Sequence, residues 1–561
     1  MTVASPPAGG SPPGVPAAPG AGPVLPPTAQ FGDAGGFSDA PRKANGDVDW
    51  MSLYLGFFAM VVGQFMAMLD IQIVASSLPQ IQAGISASAD EVSWIQSAYL
   101  IPEIVMIPLS GYLSRLWGTQ RVFMVSCAGF VIMSVLTGLS SSIDEMVITR
   151  ALQGFIGGAM IPTVFAIAFT AFPMERRVTA TTIMGLIVTL APTIGPTLGG
   201  HLTELLSWRW LFFINIVPGI LVLVLVGRYG NFDRGDPSLA KGFDWFGLAF
   251  MATFLMSLEV VLSEGAKKNW FADDRILWLS VVTVVSGVVF VWRQLSYWQP
   301  IMQLKVFADR NFTIGICINF ANGATIFGGT FLIPLFLGRV QQFSSAQVGT
   351  TMLVSGVTMM MVAPVAGRVV RQYDPRISMV LGLLIASAGV WPAHAITKNW
   401  GYWDFAALQA LRSFGVMLAM IGSQMLAMST LAPQLIKSAS GIINLARNTG
   451  GAVGLAVLSS ALSSQTALHM NELSAKVSIA SIQAQQMLAG LSQRMASMGV
   501  PNPEGAARKA FDYMIAQDAQ VLAFGDGFAL LTVGCLCAAC VSLLAKPGPM
   551  TMMGPPPKDV H

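Results

Sequence analysis

Residues 51–79 read MSLYLGFFAMVVGQFMAMLDIQIVASSLP, an apolar run that holds one charged residue, Asp70. A run of about twenty or more mostly apolar residues crosses the ~30 Å hydrocarbon core of a bilayer as a helix. Working outward, similar runs lie near 91–113, 121–141, 144–171, 177–202, 210–228, 243–264, 275–297, 312–338, 346–370, 377–397, 402–431, 438–463 and 520–545. The pattern predicts an all-α membrane protein with fourteen transmembrane helices.

The composition points the same way. The chain is 54% hydrophobic and only 11% charged, against roughly 25% charged in an ordinary soluble domain. Its net charge of +3 is spread along the whole length, so there is no electrostatic footprint for a nucleic-acid partner. All five cysteines (Cys127, Cys317, Cys535, Cys537, Cys540) fall in apolar runs, where they act as small packing side chains, and neither a disulfide nor a metal site is expected. No cofactor is expected either. Residues 1–49 are rich in Pro, Gly and Ala and read as a disordered cytoplasmic tail, with 546–561 as a second, shorter one. The first apolar stretch begins only near Met51, too late for a secretory signal.

Cytoplasmic loops carry the excess of Lys and Arg. The loops after even-numbered spans hold fourteen such residues, among them Arg115, Arg121, Arg176, Arg177, Arg376 and Lys437, whereas those after odd-numbered spans hold six. Both termini are therefore expected in the cytoplasm. The basic turn from Gly111 to Arg121 is echoed by the one from Gly367 to Arg376. This spacing suits two six-helix bundles, 50–228 and 311–545, separated by two inserted helices in 243–297. Secondary transporters are often built from such repeated halves, with substrate held between them near the midplane.

On the side opposite the basic loops, residues 464–519 are too polar for lipid yet rich in helix formers. Leu488, Leu491, Met495 and Met498 recur on one helix face, and Asn502-Pro503-Glu504 reads as a fresh helix start. An external helical hairpin within the second bundle follows.

A charge inside a spanning helix costs roughly 2.5–3.5 kcal/mol on insertion scales, so each one is a functional candidate. The main ones are Asp70, Glu103, Arg150, Arg412 and Arg447. At about 1.5 Å per residue, Asp70 and Glu103 both count to roughly 15–18 Å deep, and Arg150 to about 9 Å. Glu103 shares a helix face with Gln96, Tyr99 and Ser110. Burial and a neighbouring guanidinium act on a carboxyl in opposite senses, and an acid poised between them is the minimum equipment for carrying a proton across. The alternative is a fixed ion pair tying the first, second and fourth spans together. Glu259 is expected to pair at the interface with its neighbours Glu264, Lys267 and Lys268, and His201 and His394 are expected to be incidental. A nucleophile with its base, a metal cluster and a nucleotide-binding loop are all missing from the pattern, so no enzyme or ATP-driven pump is expected.

At this point the residues resemble a known group, the fourteen-helix drug:proton antiporters of the major facilitator superfamily, EmrB/QacA subfamily. The likeness runs over nearly all of residues 50–545. It is carried by Leu69-Asp70-Ile71-Gln72-Ile73-Val74 with Leu78-Pro79, by Arg150-Ala151-Leu152-Gln153-Gly154, by Gly195-Pro196-Thr197-Leu198-Gly199-Gly200, by Ser207 to Asn215, and by Asn444, Arg447, Gly450 and Gly451. The resemblance implies a major facilitator fold and proton-coupled efflux of small amphiphilic or cationic compounds across the inner membrane. The alternative is a dedicated exporter of one metabolite, fatty acid or siderophore, or a transporter-like sensor. It implies Asp70 and Arg150 as proton-coupling residues, to which the depth and polar face of Glu103 add that acid, and Gly195, Pro196, Gly199 and Gly200 as the conformational motif. Gly111, Arg115, Gly118 and Arg121 form the cytoplasmic gating loop, and Gln96, Tyr99, Gln153, Asn444 and Arg447 are candidates for the substrate pocket. The expected partners are protons, substrate, the lipid bilayer and a periplasmic adaptor protein bound by the hairpin, for which a lid over the transporter is the alternative. The chain departs from the family in the loop between the second and third spans. There the usual Asp is Arg115 and the basic pair is Thr119-Gln120, so the loop's charge network lacks its acid.

Overall fold

The computed structural model describes residues 48–476 and 482–547. The predicted tails lie almost wholly outside the described residues. The first half consists of α1 (Trp50–Ser76), the short α2 (Leu78–Ile85), α3 (Ala89–Trp117), α4 (Thr119–Leu139), α5 (Ile143–Gly157), α6 (Met160–Thr170), α7 (Met174–Leu205), the single turn α8 (Trp210–Phe213) and α9 (Ile216–Tyr229). Two further helices follow, α10 (Trp245–Gly265) and α11 (Asp274–Ser296). The second half is α12 (Arg310–Arg339), α13 (Ser345–Gln372), α14 (Pro375–Val390), α15 (Tyr402–Ser429), α16 (Pro433–Lys476), α17 (Ile482–Ser497) and α18 (Pro503–Ser542). Among the described residues twelve spans are long and apolar enough to cross a membrane, with α5 and α6 acting as one and α8 and α9 as another. The more polar α3 and α7, of 29 and 32 residues, bring the spanning helices to fourteen.

Three predicted boundaries move, each for a proline. Pro79 has no N–H to continue α1, which ends at Ser76, and it sits in the first turn of α2. The run 144–171 breaks at Gly158 and Ala159 because Pro162 cannot donate to the Gly158 carbonyl. The run 210–228 breaks at Ile214 and Asn215 because Pro218 cannot donate to that of Ile214. Conversely, nothing stops α16 at residue 463. It runs on for 44 residues, about 66 Å, and α18 begins at Pro503 with the Asn502 side chain accepting from Gly505 N. Both overrun the bilayer on one side, where α17 packs against α18. On α17, Leu488, Leu491 and Met495 are half-buried, whereas Met498 lies past the helix end and is exposed.

The two halves meet along two seams, α3 against α16 and α7 against α13. Small residues permit both. A Cβ on Gly111 would lie 2.8 Å from the Lys437 carbonyl oxygen, and one on Gly367 would lie 2.7 Å from Thr182 Oγ1. The two glycines of the sequence repeat thus occupy matching places in the two seams. α10 packs on both α3 and α16, and α11 packs on α10. Val284, Val288 and Trp292 of α11 face outward, 61–66% exposed, as lipid-facing residues do.

Candidate transport site

The first half holds a closed polar cluster. Arg150 on α5 and Asp70 on α1 are fully buried, and Arg150 Nη1 donates to Asp70 Oδ2 at 2.6 Å. The same nitrogen donates to Gln153 Oε1 at 2.9 Å, while Arg150 Nε donates to the Ile95 carbonyl at 3.3 Å. Asp70 Oδ1 accepts from Asn215 Nδ2 at 2.9 Å, and that amide also donates to Ser134 Oγ at 3.0 Å. The guanidinium lies over the Tyr99 ring, 4.3 Å from its centroid. A buried ion pair of this kind is sustained by further hydrogen bonds to its lone pairs and protons. Here two amides and the Ile95 carbonyl supply most of them, with Arg150 Nη2 alone of that side chain's nitrogens left without a partner among the described residues. Because α1 ends at Ser76 rather than Pro79, Asp70 lies about 9 Å from its helix end, level with Arg150. Glu103, fourteen residues into α3, is about 21 Å deep. The two acids are therefore not at equal depth as the sequence count suggested.

Glu103 belongs to a different environment. It is 3% exposed and lines a cavity of about 430 Å³ between the halves, together with Gln72, Gln96, Arg447, Asn448 and Thr330 and the apolar walls of Met68, Ile71, Leu100, Phe327 and Phe331. Of the five pocket candidates, Gln96 and Arg447 line this cavity. Tyr99 and Gln153 belong to the Asp70–Arg150 cluster. Asn444 stands one turn from Arg447 and accepts from its Nη2 at 2.8 Å, leaving Arg447 Nη1 without a hydrogen-bond partner among the described residues. Glu259 of α10 lines the cavity too, so it does not pair at the interface, where Glu264 and Lys267 form a 2.7 Å ion pair. The signal was present in the sequence, since Glu259 is an acid inside a predicted span, but its charged neighbours in sequence pointed elsewhere.

In the conformational motif, a Cβ on Gly195 would lie 2.5 Å from that of Gln72, and one on Gly199 would lie 2.9 Å from the Ile73 carbonyl oxygen. Both glycines let α7 close on α1 beside Asp70. Gly200 has open space around it, and the side chain of Pro196 lies outside the described ones. Gly154 is the tightest of these contacts, because any side chain there collides with the Tyr99 carbonyl. Gly154→Val is expected to cost about 1–3 kcal/mol of stability or more, as overpacking does, measured as a lowered midpoint of thermal unfolding in detergent. The same substitution at Gly200 should leave the midpoint within a degree or two.

On the side of the basic loops, Gly118 has φ +90° and no side chain with which to cap α4. The cap comes from Asp233, in the loop after α9. Its carboxylate accepts from Thr119 N at 2.7 and 2.9 Å, from Thr119 Oγ1 at 2.8 Å and from Lys437 Nζ at 2.6 Å. Lys437 belongs to α16, so this pair joins the two halves at the seam where Gly111 touches the Lys437 carbonyl. Arg115 instead points its Nη2 at the carbonyls of Pro300 and Ile301, at 3.4 Å, and Arg121 is exposed. Neither Asp233 nor its link to Lys437 was foreseen from the sequence, where a loop acid carries no spacing to flag it.

Two halves of six spanning helices each with two inserted between, a cavity between the halves and buried charges facing both seam and cavity define the architecture of a secondary transporter. A model of the Major Facilitator Superfamily matches residues 60–455, and the chain belongs to that family. It is 42% identical over 418 residues to the colistin resistance protein EmrB of Acinetobacter baumannii, covering 74% of this chain and 81% of that protein. It is 27% identical over 451 residues to the multidrug export protein EmrB of Escherichia coli, with 78% and 87% covered. The fatty acid resistance protein FarB of Neisseria gonorrhoeae is 28% identical over 470 residues, with 82% and 90% covered. Among solved structures, the human organic anion transporter MFSD10 superposes with a TM-score of 0.55 at 14% identity, over 86% of this chain and 99% of that one, which speaks to fold alone. The protein is a multi-span membrane transporter of the EmrB/QacA type and not an enzyme.

Proposed function

We propose that the protein exports small amphiphilic or cationic compounds across the cell inner membrane in exchange for protons, with both termini in the cytoplasm. The observation that most supports this is the division of buried charge. One carboxylate, Asp70, is locked to Arg150 beside the α1–α7 contact, while another, Glu103, faces the cavity. In this reading Asp70, Arg150 and Glu103 carry the proton coupling. The packing of Gly195 and Gly199 lets the Asp70 cluster sense the movement of α7, and the loop from Gly111 to Arg121 with Asp233 and Lys437 closes the cytoplasmic side. The names of the relatives, which span drug export, colistin resistance and fatty acid resistance, favour an adaptable apolar pocket. A dedicated exporter of one fatty acid or metabolite is the second reading, favoured by the relative named for fatty acid resistance. The long ends of α16 and α18, with α17, offer a periplasmic adaptor its docking surface.

The test is reconstitution. Proteoliposomes with an imposed pH gradient should move a fluorescent amphiphilic cation against its own gradient, and collapse of the pH gradient by nigericin should stop it. Equal movement with and without the gradient would overturn proton coupling.

A further inference from the structure

The inserted helices have no counterpart in the two-fold repeat, yet α10 packs on both α3 and α16 and brings an acid to the cavity between the halves. We propose that Glu259 is a substrate-binding residue which, with Glu103, forms a two-carboxylate site for the charged centre of a lipophilic organic cation. The proposal deepens the exporter reading and rests on its assumption that this cavity is where substrate sits.

Three observations carry it. The cavity, about 430 Å³, is of the size that takes a drug-like molecule. Glu103 is 3% exposed, and among the described residues neither its carboxylate nor that of Glu259 makes an ion pair or a hydrogen bond. An unpaired carboxylate held away from water is costly unless something compensates it, and buried Glu103 with half-buried Glu259 on the same cavity leave a place for a cation. Glu259, Glu103 and Arg447 line the same cavity, so the inserted helix adds a second carboxylate to the one that α3 supplies. Arg150 is already committed to Asp70 at 2.6 Å. This leaves two carboxylates against the single guanidinium of Arg447 in the cavity, and the ionised site carries one net negative charge. The remaining walls, Phe327, Phe331 and Met68 among them, suit the apolar body of such a cation, and aromatic faces attract cations as well. An anion of the same shape would meet both carboxylates. α10 thereby acts as a selectivity element that a twelve-helix arrangement without the inserted pair would not possess.

The experiment uses two probes of nearly one shape, methyltriphenylphosphonium and the neutral triphenylphosphine oxide. Binding of each to the purified full chain in nanodiscs is measured by equilibrium dialysis. The wild type should prefer the phosphonium by tenfold or more. Glu259→Gln should lower that preference about tenfold, and Glu259→Met, a neutral and more apolar replacement that guards against misfolding of the first, should do the same. Glu259→Asp should keep most of the preference, and Glu264→Gln, outside the cavity, should keep all of it. An unchanged preference in both neutral variants would overturn the proposal. A preference that falls as expected, in a wild type that moves neither probe in proteoliposomes with a pH gradient, would uphold the cation site and overturn the exporter reading instead.

Discussion

Asp70→Asn is expected to abolish pH-gradient-driven export, lowering the initial rate in proteoliposomes at least a hundredfold, and also to lower stability. An amide keeps the shape of the carboxylate, but the geometry shows that it does not keep its contacts. Asp70 Oδ2 accepts from Arg150 Nη1 at 2.6 Å and Oδ1 accepts from Asn215 Nδ2 at 2.9 Å. An amide nitrogen in either place turns an acceptor into a donor that faces a donor. The fully buried guanidinium also loses its counter-charge, and removing one partner of a buried ion pair typically costs about 3–5 kcal/mol. The decisive variant is therefore Asp70→Asn with Arg150→Gln, which removes both charges. It should recover most of the lost thermal stability, because no unpaired charge remains, and recover no export, because no group is left to carry the proton at this site. Export restored together with stability would make the pair a structural tie between α1 and α5 and would overturn its proposed role in coupling.

The fourteen spans were legible because hydropathy sets twelve of them and helix length the two more polar ones, α3 and α7, and the pairing of Asp70 with Arg150 was foreshadowed because each is costly in lipid without the other. Their levels were not legible, since they depend on where α1 stops, and that depends on a single missing N–H at Pro79. The same holds for Asn215, whose amide reaches Asp70 only because Pro218 ends one helix and starts another around it. A periodicity argument cannot see such a junction. Glu259 was hidden for a different reason. Its nearest charges in sequence lie at the end of α10, whereas its neighbour in space, Glu103, is on a helix more than 150 residues earlier. Which wall of the bundle α10 covers is a tertiary fact, and only the packing of α10 on α3 and α16 reveals it.

The loss of the loop acid at Arg115 looked like the loss of a gate, but the structure supplies the charge from elsewhere, and removing it is expected to open the basic side. The Asp233 side chain is 2% exposed and that of Lys437 15%, so their 2.6 Å contact is largely shielded from solvent and from salt. Asp233 also caps α4 through Thr119, which anchors it to the first half, while Lys437 travels with α16 in the second. Any motion that parts α3 from α16 must break this contact, and it stabilises only the state with the basic side closed. Asp233→Asn forfeits the ion pair and weakens the cap. If about 3 kcal/mol of the usual cost of breaking a shielded pair falls on that state, the equilibrium shifts by roughly a hundredfold, at 1.4 kcal/mol per factor of ten. Spin labels on exposed Arg228 of α9 and Gln434 of α16 should show this by electron–electron resonance as a longer distance becoming the dominant population. Lys437→Gln should produce the same shift. The exchange Asp233→Lys with Lys437→Asp should restore it only in part, because a lysine cannot accept from Thr119 N. Distance distributions that match the wild type in both single variants would mean that the pair only holds the loop after α9 in place. A full return of the wild-type distribution in the exchanged protein would instead mean that charge attraction alone closes the seam and that the α4 cap contributes nothing to it.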